Sequence, residues 1–392
     1  TVLGESALDA SVSGGNNTAI GKNALTALTS GTRNTAVGGF GLEANTTAGD
    51  NTALGYFALG VNTTGQYNVA VGNYSLDANT SASNNTAVGY LSLTANSTGT
   101  SNVAVGAYAL DANTTASSNT AIGMSSLTNS TTGSNNTAVG TSALALNTTG
   151  GNNVAVGASA LDANTTANAN TAIGYSSLTT NTTGADNTAL GADALHANTT
   201  ASYNTAVGRS VLATNSTGSN NTGLGYAALG ANTTGGFCVA VGANALDANT
   251  TANNNVAVGY NSLTANSTGT TNVGIGTAAL AANTTASNNT AVGHGVLESN
   301  TTGTQNTAVG SLALDANTTA DSNTAIGYSS LGANSTGANN TGLGHSSLFN
   351  NTTASNNTAV GSSALFANTT GTENVAVGTN ALDANTTASY NT

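Results

Sequence analysis

The chain has 392 residues, a formal net charge of −12 and charged side chains at only 5% of its positions. Its basic residues are Lys22, Arg33 and Arg209; we therefore expect no nucleic acid and no anionic membrane surface as partner, because both are bound through clustered Lys and Arg. A single cysteine excludes an intrachain disulfide framework, and the lack of about 18 consecutive apolar residues excludes membrane insertion of this segment.

A 17-residue repeat fills the chain without an insertion or a deletion. It opens with the motif Asn-(Thr/Val)-Ala-(Val/Ile/Leu)-Gly, whose glycine recurs from Gly4 to Gly378, and a leucine follows four residues later, from Leu8 to Leu382. We number positions 1 to 17 from the Asn of the motif, so that Asn102 is at position 1. Such regularity is typical of stacked coils and predicts an all-β fold: a single continuous parallel β-solenoid (β-roll) of 23 coils over residues 1–392.

Each coil is expected to contain two short strands and a turn. The first strand covers positions 1 to 5, from Asn17 to Gly21, where side chains alternate, and Thr18 and Ile20 share a face. The second carries Leu8 and Ala10. The prediction places Thr18, Ile20, Leu8 and their equivalents in the interior. Position 15 alternates between Ala and Gly, a 34-residue period typical of helical hairpins, but glycine and β-branched residues interrupt every candidate helix.

Asn occupies position 1 in 22 of 23 coils. We predict that these side chains form a structural ladder of stacked amides, with a repeated polar binding strip as the alternative. The exception is Cys238, which we interpret as a free thiol, with an interchain link as the alternative. The first members of the predicted ladder are Asn17, Asn34, Asn51, Asn68, Asn85, Asn102, Asn119, Asn136 and Asn153.

A second Asn, at position 12, precedes two hydroxyl residues in 20 coils and forms the N-glycosylation pattern. Alternatively, these Asn and Thr residues are simply turn formers. Aligned Thr pairs such as Thr114 and Thr115 also suggest a hydroxyl array of the kind that binds ice. Candidate glycan acceptors are Asn45, Asn113, Asn164, Asn249 and Asn317.

The sequence contains no recognisable catalytic or metal-binding grouping. His196, His294 and His345 lie in different coils. The acidic residues that follow Leu, such as Asp111, recur at most every second coil, too far apart for a paired-carboxylate site. We therefore expect no enzymatic activity, no cofactor and no metal.

Two rows of small residues bear on assembly. Position 3, represented by Ala19, and position 8, represented by Ala109, are expected to lie opposite the aliphatic face. Small apolar rows allow another wall to approach closely, either a neighbouring chain or the far side of a flattened coil. One turn buries too little to fold alone, so we favour neighbouring chains and predict a homotrimer about a common axis.

The repeat resembles two families of fibrous proteins. The motif at residues 102–106, 136–140, 170–174 and 357–361 is similar to the head repeats of trimeric autotransporter adhesins. Together with Asn-Thr-Thr-Gly at 147–150 and 368–371, it is closer to the repeat arrays of bacteriophage tail-fibre proteins. The resemblance covers the whole chain and implies a left-handed β-roll bundled in threes, although adhesin heads commonly use fewer than 17 residues per repeat.

The resemblance and the composition together predict a non-enzymatic extracellular structural or adhesive fibre, a shaft or head at a cell surface or on a virion. Its expected partners are copies of itself and a cell-surface receptor or glycan. We expect the array to be a segment of a longer fibre. The alternatives are a self-assembling, glycosylated extracellular filament subunit and, third, an ice-binding solenoid.

Overall fold

The computed structural model describes residues 1–392 and contains strands and turns but no helix. It divides into two compact units, Thr1–Thr200 and Ala201–Thr392. Within each unit every coil contributes one short strand, which pairs in parallel with the strand of the next coil. The register is one whole repeat, as where Val103 and Val105 pair with Thr120 and Ile122. The predicted all-β parallel β-solenoid is confirmed.

The strands have three residues each, except the first, which has two. In the first unit they are β1 (Val2–Leu3), β2 (Thr18–Ile20), β3 (Thr35–Val37), β4 (Thr52–Leu54), β5 (Val69–Val71), β6 (Thr86–Val88), β7 (Val103–Val105), β8 (Thr120–Ile122), β9 (Thr137–Val139), β10 (Val154–Val156), β11 (Thr171–Ile173) and β12 (Thr188–Leu190). In the second unit they are β13 (Thr205–Val207), β14 (Thr222–Leu224), β15 (Val239–Val241), β16 (Val256–Val258), β17 (Val273–Ile275), β18 (Thr290–Val292), β19 (Thr307–Val309), β20 (Thr324–Ile326), β21 (Thr341–Leu343), β22 (Thr358–Val360) and β23 (Val375–Val377).

The predicted second strand, over Leu8 and Ala10, is wrong, because the leucine lies in a series of turns. Leu110 has φ +53°, in the left-handed region. Its N–H still donates to the carbonyl of Ser126 in the next coil, at 3.1 Å, so hydrogen bonding between coils continues through the turns. A β-branched side chain is strongly disfavoured in that region, which explains why the position holds Leu rather than Val or Ile.

Within the strand, the structure buries the position that was predicted to face outward and exposes the two positions that were predicted to face inward. Ala104, at position 3, is fully buried, whereas Val103 and Val105 on either side are half-exposed. The same holds for Ala19 between Thr18 and Ile20, so the prediction that Thr18 and Ile20 line the interior is wrong. The position-9 leucine does lie inside: Leu25 to Leu365 are buried, and Leu8 and Leu382 in the terminal coils are partly exposed.

The coil is too narrow for larger side chains at these places. At position 8, the Cβ that Gly41 lacks would lie 3.6 Å from the Cβ of Ala36 and 3.9 Å from that of Ala53. Positions 3 and 8 therefore face each other at van der Waals distance inside one chain. The two small-residue rows pack against the far side of their own flattened coil, and the prediction that they face a neighbouring chain is wrong.

Candidate functional site

The position-1 amides form a ladder that joins each coil to the next. The backbone N–H of Asn102 donates to Oδ1 of Asn85 at 2.9 Å, and Oδ1 of Asn102 accepts the N–H of Asn119 at 3.0 Å. Every such Asn from Asn34 to Asn374 is fully buried, where an unpaired amide would be costly. The same contact links the predicted members Asn17, Asn34, Asn51, Asn68, Asn85, Asn102, Asn119, Asn136 and Asn153.

The position-12 amides close the coil. Nδ2 of Asn113 donates to the carbonyl of Ala116 at 3.2 Å, and Nδ2 of Asn102 donates to the same carbonyl at 2.9 Å. The second proton of Asn113 Nδ2 goes to Oδ1 of Asn96 in the preceding coil, at 2.8 Å. One carbonyl at position 15 thus receives two side-chain amides, which fixes the turn against the start of the strand.

The candidate glycan acceptors are members of this second ladder. Each is fully buried, and its Nδ2, the atom to which an N-glycan is attached, donates to the carbonyl three residues later. A glycan would remove a donor proton and would have no space inside the coil. The folded chain therefore does not present Asn45, Asn113, Asn164, Asn249 or Asn317 to a glycosylating enzyme.

The second ladder has one break inside the first unit, at Ser130. Oδ1 of Asn113 is the one buried side-chain polar atom without a hydrogen-bond partner, because the next coil has Ser130 where all the later coils have Asn. The Ser130 hydroxyl instead lies 3.4 Å from the Gly133 carbonyl, and Nδ2 of Asn147, in the coil beyond, donates to the carbonyl of Gly150.

We expect Ser130→Asn to raise the free energy of unfolding of the first unit by roughly 1 to 3 kcal/mol, because it satisfies a buried acceptor and restores two hydrogen bonds. Urea denaturation followed by circular dichroism measures the change. Ser118→Asn, at an exposed left-handed position that is Asn in many coils, is the matched control and should raise the midpoint only slightly, because Asn adopts that conformation more readily than Ser. A lower midpoint for Ser130→Asn would contradict the two-ladder description.

The two threonines after the position-12 Asn differ in their surroundings. The hydroxyl of Thr114, at position 13, donates to the carbonyl of Thr131 in the next coil at 3.2 Å, and this contact recurs along both units. Thr115, at position 14, is exposed, and its hydroxyl makes no hydrogen bond within the chain. Only one of the two rows in the proposed ice-binding array therefore has hydroxyls available to solvent.

In each unit the outer surface of the strands is made of positions 2 and 4, and we call it the outer sheet face. Position 2 holds only Thr or Val, and position 4 only Val, Ile or Leu, so the face carries no charged residue in any coil. Both positions are half-exposed or exposed throughout the chain. In eight coils the side chain at position 4 is 37% to 47% exposed: Leu54, Ile122, Ile173, Leu190, Leu224, Ile275, Ile326 and Leu343.

An aromatic cluster, which the sequence analysis overlooked, lies on the turns of three successive coils. Phe40, Phe57 and Tyr74 occupy position 7 and stack in parallel, with ring centroids 4.8 and 6.0 Å apart. Tyr56, which is 42% exposed, meets all three edge-on. The sequence does carry a signal for this cluster, because aromatic residues 17 positions apart occupy the same place in successive coils.

The histidines and the cysteine lie apart from one another. Nδ1 of His196 is 3.4 Å from the carbonyl of Ser176, and His345 stacks on Tyr328. Cys238 is fully buried, its Sγ lies 3.4 Å from the Ala252 carbonyl where other coils place an amide, and burial raises the pKa of its thiol. It is a free thiol in this structure, and no cluster of His, Cys, Asp or Glu is placed to hold a metal ion.

Five aspartates at position 10 have pKa values raised above the ordinary Asp value, because partial burial disfavours their charged form. They are Asp77, Asp111, Asp162, Asp247 and Asp315. A raised folded-state pKa contributes stability that is complete below the unfolded-state pKa and is lost as the pH rises through the folded value. The opposite case is Asp50, whose pKa the side chain of Arg33 lowers; that pair is on the surface and contributes little.

We therefore expect the urea midpoint to rise as the pH falls from 7 to about 4, instead of falling as in ordinary acid denaturation. Combining Asp77→Asn, Asp111→Asn and Asp162→Asn should raise the midpoint at pH 7 and flatten its pH dependence in the first unit. Asp186→Asn, at an exposed turn, is the control. A midpoint that falls steadily on acidification would show that burial of these carboxyl groups is not the controlling factor.

No protein-family model matches the chain, and no curated protein matches it. The structure contains no helix with the length and apolar character needed to cross a membrane.

Proposed function

We propose that the chain is a non-enzymatic extracellular fibre, structural or adhesive, of the kind found in phage tail fibres and surface adhesins, and that it assembles with copies of itself through the outer sheet face. That face is the observation that carries the proposal. Position 4 is aliphatic in every coil, position 2 is Thr or Val, and neither is ever charged; a row of exposed aliphatic side chains on an uncharged face is characteristic of an interaction surface.

The net charge and the 17-residue repeat both favour a second copy of this chain as the partner that covers the outer sheet face. Two copies each carry a net charge of −12, and the outer sheet face is a surface without charges on which they can approach closely. A second copy also has the same repeat spacing, so its side chains stay in register along the whole contact. Each coil offers on the order of 100 Å² of this face, and about eight coils supply the roughly 800 Å² per partner of a stable interface.

The homotrimer predicted from the sequence remains part of this proposal, but its interface differs from the predicted one. The rows that suggested it, positions 3 and 8, are interior, so three chains about a common axis would meet through positions 2 and 4 instead. The filament alternative uses the same face. Its N-glycosylated form has little support, because the acceptor amides are buried. Ice binding is also weakened, because the Thr114 row of hydroxyls is bonded to backbone.

Three added charges test the interface. Val105→Glu, Val139→Glu and Val156→Glu place like charges on the outer sheet face without entering the interior. The control, Ser118→Glu, Asn135→Glu and Asn152→Glu, adds the same charge at position 17, where Glu373 occurs naturally. In sedimentation velocity we expect the unmutated chain and the control to be oligomeric, and the face variant to be a folded monomer. An unmutated chain that sediments as a monomer at every concentration contradicts assembly.

Location is tested separately. Gold-labelled antibodies against the chain should bind the surface of intact cells or virions that carry it. Label that appears only after permeabilisation would contradict an extracellular fibre. An adhesive role would further require the intact chain to bind cells or their glycans, and the exposed edge of the aromatic cluster around Tyr56 is the first surface to substitute.

A further inference from the structure

Position 14 carries a hydroxyl in every coil. It is Thr in 20 coils and Ser in the other three, at Ser13, Ser30 and Ser81. All of these side chains are exposed. Because the repeats are copies of one another within a single chain, the substitutions between coils show which chemical property each position retains.

Positions 2, 13 and 14 are all rich in threonine, but the substitutions between coils retain a different property of the side chain at each. Position 2 exchanges Thr with Val, so the branched shape is kept and the hydroxyl is dispensable there. Position 13 exchanges Thr with Ser in every coil after the first, and the structure supplies the reason, since the hydroxyl of Thr114 or Ser97 bonds the backbone of the next coil. Position 14 also exchanges only Thr with Ser, but the hydroxyl of Thr115 has no partner in the chain.

Neither recent copying nor turn propensity accounts for this retention. Other exposed positions in the same coils have diverged: position 6 includes Lys22, Tyr56 and Met124, and position 17 includes Arg33 and Gln305. A bend would also accept Asn, Asp or Gly, and none of these occurs at position 14 in any coil. What is retained is an exposed hydroxyl group.

The N-glycosylation pattern does not explain the hydroxyl either. Position 14 is the Ser/Thr of that pattern, so an N-glycan on position 12 would require it. Yet the coils with Leu28 or Ser130 at position 12 have no acceptor Asn, and they still carry Ser30 and Thr132. The requirement for the hydroxyl is therefore independent of the Asn.

We propose that the position-14 hydroxyls are acceptors for O-linked sugars, which would form a row along each unit. In the transfer step, Oγ attacks the anomeric carbon of a nucleotide-activated sugar bound to a glycosyltransferase. The bond from that carbon to the nucleoside diphosphate breaks, the diphosphate leaves with the electron pair, and the hydroxyl proton passes to a base. Both Thr and Ser supply the attacking oxygen, which agrees with their exchange. This inference does not depend on the fibre proposal.

Spacing sets the expected extent of modification. Adjacent acceptors lie about 4.8 Å apart, the distance between neighbouring strands, which is close to the width of one sugar ring. Sugars on every coil would collide, so we expect fewer attached sugars than coils.

The test is mass spectrometry of the full chain purified from the cells that naturally produce it. We expect a mass excess equal to whole sugar residues, removed by β-elimination and mapped by electron-transfer fragmentation to position 14, including Thr132. Combining Thr115→Val, Thr132→Val and Thr149→Val should remove the sugars from those coils, because the branch is kept without the oxygen. Thr115→Ser, Thr132→Ser and Thr149→Ser should retain them. Circular dichroism verifies that both variants fold.

Three results would overturn the proposal. One is an intact mass equal to that of the unmodified sequence. Another is sugar mapped to position 13 or to Asn instead of position 14. The third is an unchanged number of sugars on coils that carry valine.

Discussion

Gly38→Ala is expected to lower the free energy of unfolding of the first unit by about 4 kcal/mol, the combined effect of backbone strain and a steric clash. Gly38 is at position 5, the corner that ends the strand, and its φ is +132°. An L residue rarely adopts that conformation. The added Cβ would also lie 2.4 Å from the carbonyl oxygen of Gly55 in the next coil, and that oxygen belongs to backbone that cannot move without separating the coils.

Gly41→Ala, in the same coil, is the control for Gly38→Ala. Gly41 does not have a positive φ, its added Cβ would meet only ordinary van der Waals neighbours, and other coils place Ala24 or Ala58 at that position. We expect this substitution to be neutral or to stabilise by up to about 1 kcal/mol, because the unfolded chain loses freedom. Urea midpoints and hydrogen exchange of the flanking coils compare the two variants. Equal effects would mean that the corner conformation is not what requires glycine.

The sequence predicted the period of the fold but not the direction in which the strand faces. A 17-residue repeat with alternating residues at positions 2 to 4 indicates stacked strands, whichever face is inside. The usual rule that larger apolar residues are buried placed Thr18 and Ile20 inside. It failed because the interior is already filled by Leu25 and the Asn side chains, which leaves room only for Ala19. The width of the coil, which decides the matter, is a property of the folded cross-section.

The leucine segment was misassigned for a related reason. Alternation around Leu8 resembled a second strand, whereas left-handed residues such as Leu110 and Tyr108 maintain hydrogen bonds between coils within a turn. Backbone handedness at a non-glycine residue has no reliable sequence signal. The Asn positions were identified from the sequence, but the sharing of one carbonyl by Asn102 and Asn113 depends on how the coil closes, and the sequence does not show that.

Ala155→Arg is expected to prevent folding of the coils around it, whereas Val156→Arg, one residue away, should leave the monomer folded. Ala155 is fully buried between Ala138 and Ala172 of the neighbouring coils. A guanidinium there has neither space nor a counterion, and an unpaired buried charge costs several kcal/mol. Val156 points to the outer sheet face and is half-exposed, so an Arg side chain at that position extends into water.

Comparing Ala155→Arg with Val156→Arg distinguishes the two possible orientations of the strand, because the two variants place the same charge on opposite faces. Circular dichroism and limited proteolysis report folding, and sedimentation reports assembly. If positions 2 and 4 were interior, Val156→Arg would be the variant that unfolds, and Ala155→Arg would fold and lose only its partners. With Ala155 inside the coil, Ala155→Arg is protease-sensitive near β10, and Val156→Arg keeps the unmutated β spectrum while its association weakens, because the new charge lies on the surface through which we propose that copies meet.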